Sequence, residues 1–221
     1  DGTYVEQFEL AAYTGMSSMN NVTFRSQSGE ADSVIVTYIS GSTADNYVVQ
    51  LFEAPYFSFE DLTFWNQGTS YAYCADIWGS DSVSFDGCKF NTVNNAYAYN
   101  AQGINAYSYN NGTYLSSDYL TITNCEFDGG YFNLYYYNYS SAGDYGDHSV
   151  IENNKFMNAY YYGAYVYYAT DLQFNNNYAA GTNINSYGYA MYISYVTLGS
   201  VTNNFVEGNA TWPRVGLYIN N

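Results

Sequence analysis

The segment Asp144-Tyr145-Gly146-Asp147-His148 brings together two carboxylates and the only histidine of the chain. Hydrolysis of a glycosidic bond needs two acidic side chains about 5–10 Å apart, one as acid and one as base or nucleophile. If the chain is an enzyme, Asp144, Asp147 and His148 are therefore its catalytic candidates. The local composition supports a plainer reading. The segment is rich in Gly and Ser and runs into an apolar stretch at Val150–Phe156, as an exposed turn leading into a strand would.

The second group with chemistry to offer is aromatic. The chain carries 31 tyrosines, and many fall at alternate positions of short β-rich runs. If Leu134, Val166, Met191 and Leu217 point inward, alternation turns Tyr135, Tyr165 or Tyr167, Tyr192 and Tyr218 outward, with Tyr73 and Tyr107 on earlier turns of the chain. Tyr73, Tyr107, Tyr135, Tyr165, Tyr192 and Tyr218 are the ligand-binding candidates. Tyrosine combines apolar area with a hydroxyl at low entropic cost, a combination that suits sugar rings or a protein partner.

Charge narrows the partners. Twenty acidic residues face four basic ones, Arg25, Lys89, Lys155 and Arg214, for a net charge of −16. Such a chain repels phosphate backbones and anionic lipid and has no basic patch, so nucleic acid is excluded as a partner. No apolar run reaches the length of a membrane span, so no membrane insertion is expected. The acids are scattered and no calcium-loop spacing recurs. No cofactor is expected, and a structural calcium is the one metal that so acidic a chain would suit. The three cysteines, Cys74, Cys88 and Cys125, are an odd number, which argues against a disulfide framework.

The elements that position these groups are set by a repeat. A six-residue pattern, apolar-x-Asn/Asp/Gly-x-x-apolar, reads Met19–Phe24, Phe59–Phe64, Phe85–Phe90, Ile122–Phe127, Ile151–Phe156, Phe174–Ala179 and Val201–Val206. The closing positions lie 23 to 40 residues apart. The shorter spacings match one coil of a solenoid, and the two longest predict inserted loops at Ser40–Asn46 and Asn110–Ser117. A second, alternating strand lies between successive copies. The pattern predicts an all-β fold, a right-handed parallel β-helix of seven to eight coils forming a single domain over residues 1–221. The fourth motif position, apolar early and Asn154, Asn177 and Asn204 late, predicts a buried asparagine ladder.

With these residues in view, the chain resembles the right-handed β-helix repeats of large secreted Bacteroidetes proteins exported by type IX secretion. The resemblance is carried by Asp1–Phe8, by Val22–Gly29 with Asp32-Ser33-Val34, and by Asp45–Val49 leading into Tyr56–Phe64, and it extends through the Asn-Asn repeats to the end. It implies a pectate-lyase-like superhelix within a multidomain secreted or cell-surface protein. The start at Asp1, with neither a methionine nor a signal peptide, fits a piece of such a protein. Lyases on this fold use a basic residue as base, whereas Lys89 and Lys155 share a motif position and read as surface charges. The expected function is a noncatalytic adhesive or ligand-binding module whose partner is a polysaccharide or surface protein. A glycoside hydrolase or lyase is the first alternative. The second is a subunit of an extracellular fibre, self-associating through the solenoid ends.

Overall fold

The structure is a computed structural model that describes residues 1–93, 99–139, 145–181, 188–197, 199–208 and 216–220. The chain winds through three parallel sheets in turn, so that each strand pairs with its equivalent one coil earlier and one coil later. The first sheet has eight strands, from Gly2–Val5 to Phe205–Glu207. The second has nine, of which eight form its main path from Phe8–Leu10 to Leu217–Asn220, and the third has seven. Two short 3-10 turns, Ala31–Ser33 and Thr43–Asp45, are the only helical elements among the described residues. The protein is a parallel β-helix.

The six-residue motif proves to be the corner between the third and first sheets. Its opening apolar residue ends up in the third sheet, where Phe59, Phe85, Ile122, Ile151, Phe174 and Val201 lie in register. Its closing residue stands in the first sheet, where Phe64, Phe90, Phe127, Phe156, Ala179 and Val206 do the same. Between them the chain must reverse within one residue, and the third position does this in the left-handed region. Asp61, Gly87, Asn124, Asn153, Asn176 and Asn203 have φ between 53° and 63°. Glycine, Asn and Asp are the residues that tolerate this conformation, which explains the motif's third position. The corner keeps its hydrogen bonds, because the N–H of Asn124 donates to Glu152 O at 3.1 Å and that of Asn153 to Asn175 O at 3.1 Å on the next coil.

The copy expected at Met19–Phe24 is not part of this series. Val22–Arg25 belongs to the third sheet, where Phe24 stands opposite Phe59, and the first-sheet partner of Phe64 is Val36. Met19 is exposed in a turn closed by Ser17 and Asn20. The 40-residue spacing therefore ran between different sheets, and Ser40–Asn46 is a sheet-to-sheet turn containing one 3-10 element. At Asn110–Ser117 the expected insertion is present, where Tyr109–Asn110 and Thr113–Tyr114 form an antiparallel hairpin.

Inside the coils, one apolar core runs the length of the solenoid. Phe64, Phe90, Phe127 and Phe156 are fully buried and stack at 5.6, 4.7 and 5.1 Å between ring centroids. Each buried Phe contributes about 1.5–3 kcal/mol. The fourth motif position makes an inward column of Leu62, Cys88, Cys125, Asn154 and Asn177. The three cysteines are free and buried, and burial pushes the Cys74 thiol up to about 12. From Asn154 on, the column is polar and fully bonded. Asn154 Oδ1 accepts from Cys125 N at 2.9 Å, and Asn154 Nδ2 donates to Ile122 O at 2.9 Å. Asn177 Oδ1 accepts from Asn154 N and Nδ2 at 3.0 and 3.1 Å, and Asn204 Oδ1 accepts from Asn177 N at 2.9 Å.

Removing one rung leaves the buried Cys125 N–H without a partner, at a cost of about 1–3 kcal/mol, and opens a small void. Asn154→Ala is therefore expected to lose about 2–4 kcal/mol in urea unfolding, whereas the exposed Asn21→Ala changes stability by no more than about 0.5 kcal/mol. Equal effects at the two sites would contradict the ladder.

Candidate functional site

Two places hold residues with chemistry, the outer face of the second sheet and the corner between the second and third sheets. At that corner the chain again passes through the left-handed region, at Ser82, Tyr119, His148 and Asp171 on successive coils, with φ between 52° and 56°. Asp147 is paired with Thr170, and its N–H donates to Asp118 Oδ1 at 3.0 Å. His148 Nδ1 lies 3.0 Å from Asp147 Oδ1 and Nε2 lies 3.6 Å from Asp171 Oδ2, while its ring stacks on Tyr119 at 5.0 Å. Asp144 lies outside the described residues. Of the catalytic candidates, the structure thus brings Asp147 and His148 together on an exposed ridge and adds Asp171, which sequence spacing did not indicate. Gly146 has a structural reason: a Cβ there would sit 1.9 Å from the Tyr136 hydroxyl.

The second-sheet face is built from three outward columns. Register places Tyr135, Tyr165, Tyr192 and Tyr218 directly over one another. Their rings stack at 5.4, 5.0 and 4.7 Å with interplanar angles of 11°, 12° and 13°. On one side run Phe132, Tyr162 and Tyr189, stacked at 5.5 and 5.7 Å. On the other side run Tyr107, Tyr137 and Tyr167, with the last two stacked at 4.9 Å. Ring spacing follows strand spacing, about 4.8 Å in a sheet. This aromatic cluster is separate from the core and lies on the opposite side of the backbone.

Four of the six tyrosine candidates, Tyr135, Tyr165, Tyr192 and Tyr218, form the single column that alternation predicts. Tyr107 belongs to the neighbouring column. Tyr73 stands in register with Gln102, on the flank that later carries Phe132, and donates from its hydroxyl to Asn100 Oδ1 at 3.2 Å. On the early coils the central column holds Gln50, Asp76 and Asn105 instead of tyrosine. Sequence reading missed Asp76, because two successive buried residues, Cys74 and Ala75, separate it from Tyr73 and break simple alternation. Tyr136 was missed for the opposite reason. It points into the core and hydrogen-bonds Ser117 O at 3.1 Å and Ser149 Oγ at 2.9 Å.

The face is also less open than free side chains would be, since each ring covers its neighbours. Tyr135 retains 8% exposure and Tyr162 9%. Burial raises the pKa of Tyr135, Tyr162 and Tyr165, and adjacent phenols add to the shift. What remains accessible is a band of ring edges and hydroxyls. Among the described residues no three Asp, Glu, His or Cys side chains converge as a metal-ligand set, and no helix is long and apolar enough to cross a membrane.

No family model and no curated protein matches the sequence. Among solved structures, the chain is similar to one described as a glycoside hydrolase, with a TM-score of 0.54 and 14% identity over 79% of this chain and 36% of that one. It thus spans about a third of that protein's length. It is also similar to the surface protein and adhesin PfbA of Streptococcus pneumoniae, with a TM-score of 0.47 and 12% identity over 100% of this chain and 79% of that one. The alginate lyase of Paenibacillus sp. str. FPU-7 gives a TM-score of 0.45 and 13% identity over 99% and 89%. At these identities the glycoside hydrolase shares with this chain its β-helix fold, and a fold carries no activity with it.

Proposed function

We propose that the chain is a noncatalytic, adhesive ligand-binding module of a secreted or cell-surface protein, with the tyrosine-bearing face of its second sheet as the contact surface. The observation that carries the reading is the register-matched stack of Tyr135, Tyr165, Tyr192 and Tyr218. Packing has already fixed these rings, so binding loses little side-chain entropy. Their hydroxyls supply hydrogen bonds beside apolar area. With a net charge of −16, the suitable ligand is uncharged, a neutral polysaccharide or a protein surface. Placement outside the cell rests on the resemblance to secreted Bacteroidetes β-helix repeats.

A carbohydrate-active enzyme is the second reading, favoured by the contact that joins Asp147, His148 and Asp171 on one ridge. A glycan array run beside a reducing-sugar assay separates the two. The binding reading expects Tyr165→Ser/Tyr192→Ser to weaken capture of a neutral glycan by at least about tenfold. It expects Tyr165→Phe/Tyr192→Phe to keep the stack and the fold, affinity to change little with salt, and no sugar ends to be released. Unchanged binding by the Ser variant, or cleavage abolished by Asp147→Asn, would overturn it.

The same packing sets the alkaline limit of the fold. Unfolded tyrosines ionise near pH 10, while burial holds Tyr135, Tyr162 and Tyr165 protonated to higher pH. The folded state therefore binds more protons than the unfolded state above about pH 10, and stability, intact below that pH, falls as pH rises through it. An ultraviolet phenolate titration followed alongside circular dichroism is expected to show a group of tyrosines that ionise only as the β signal is lost. Complete tyrosine ionisation with the β signal intact would contradict the packing.

A further inference from the structure

Where the central column is still polar, the second-sheet face forms a groove of about 200 Å³. Asp76 stands within it, between Gln50 on the coil before and Asn105 on the coil after. Its carboxylate accepts from Gln50 Nε2 at 2.8 Å and from Asn105 Nδ2 at 2.7 Å. Tyr73 and Trp78 flank it along its own strand, and Tyr107 and Tyr109 close the side toward the hairpin. Trp78 is held in place by stacking on Phe52 at 4.3 Å and by donating from Nε1 to Ser108 O at 3.2 Å.

The charge on Asp76 is what the surrounding structure does not account for. The lysines that form ion pairs among the described residues, Lys89 and Lys155, pair with Asp32 and Glu126. Burial raises the Asp76 carboxyl, against the two amide hydrogen bonds that lower it. An asparagine here would link Gln50 to Asn105 without the desolvation cost of a carboxylate. Aromatic side chains lining a groove around a carboxylate with no cationic partner among the described ion pairs are complementary to a cation that needs no hydrogen bonds.

We propose that this groove binds an organic cation, a quaternary ammonium head group of about trimethylammonium size, between the Asp76 carboxylate and the rings of Tyr73, Trp78 and Tyr107. A metal ion fits poorly, because the site offers one carboxylate whose neighbouring amides present N–H groups rather than oxygens to it. The volume is below the ~300–1,000 Å³ of a drug-sized ligand site, so it takes a head group rather than a whole large molecule. The net charge of −16 raises the local concentration of any cation at its mouth.

Isothermal titration of the unaltered protein with choline, with tetramethylammonium, with calcium and with the neutral isostere of choline, in which carbon replaces nitrogen, tests the site. Both ammonium compounds are expected to bind, more weakly as salt rises. The isostere is expected to bind at least about tenfold more weakly, and calcium not to displace choline. Asp76→Asn is expected to lose at least about tenfold in choline affinity, while Tyr165→Ser/Tyr192→Ser keeps it, so this site and the tyrosine columns succeed or fail separately. Equal binding of the isostere, absence of choline binding, or displacement by calcium would overturn the proposal without any variant having to fold.

Discussion

Every feature of this molecule depends on one constraint: in a parallel solenoid the hydrogen-bond ladder holds each residue about 4.8 Å above its equivalent on the previous coil. Side chains are thereby sorted into columns, and a column is stable only if its members can bear identical neighbours at that distance. Phenylalanine meets the condition inside by stacking, as Phe64, Phe90 and Phe127 do. Asparagine meets it through amide-to-backbone and amide-to-amide bonds, as at Asn154 and Asn177. Carboxylates meet it where their oxygens find donors: Asp81 Oδ1 accepts from Asp118 N at 2.9 Å and Asp118 Oδ1 from Asp147 N at 3.0 Å on successive coils, and Asp86, in register with Glu60, accepts from Thr123 and Asn124.

The same constraint gives the outer face its direction. In the central column of the second sheet the order along the axis is Gln50, Asp76, Asn105, Tyr135, Tyr165, Tyr192, Tyr218. One end is a polar groove with a carboxylate, and the other is a closely packed aromatic surface. The two ends offer different chemistry, charge with aromatic walls at one and uncharged ring edges with hydroxyls at the other. A linear ligand lying along the axis would meet both in sequence.

Much of this was legible in the residues alone, because a solenoid repeats itself. The recurrence of the six-residue pattern announced the coils, and its fourth position announced the ladder from Asn154 to Asn204, whereas the corner between two sheets at its third position was not read, because the pattern looks like one strand. What could not be read was membership of columns across corners of unequal length. Met19–Phe24 satisfied the pattern yet lies one sheet away from its apparent equivalents, and Tyr73 and Tyr107 fell on flanking columns because the central positions of their own strands hold Asp76 and Asn105. Asp76 looked like one scattered acid among twenty, and only its coil neighbours give it meaning. Asp171 was silent for the same reason, since its nearness to His148 arises between coils and not along the chain.

The central claim is that contact with a ligand is made by the stacked tyrosine face. It is tested most directly by labelling the tyrosine rings and following their magnetic resonance signals during titration with a neutral glycan captured in the array. The account predicts that the perturbed rings are those of Tyr135, Tyr165, Tyr192 and Tyr218, with Tyr137 and Tyr167 beside them. Perturbation confined to Tyr119 and Tyr145, near His148, would contradict it and place the ligand on the corner ridge.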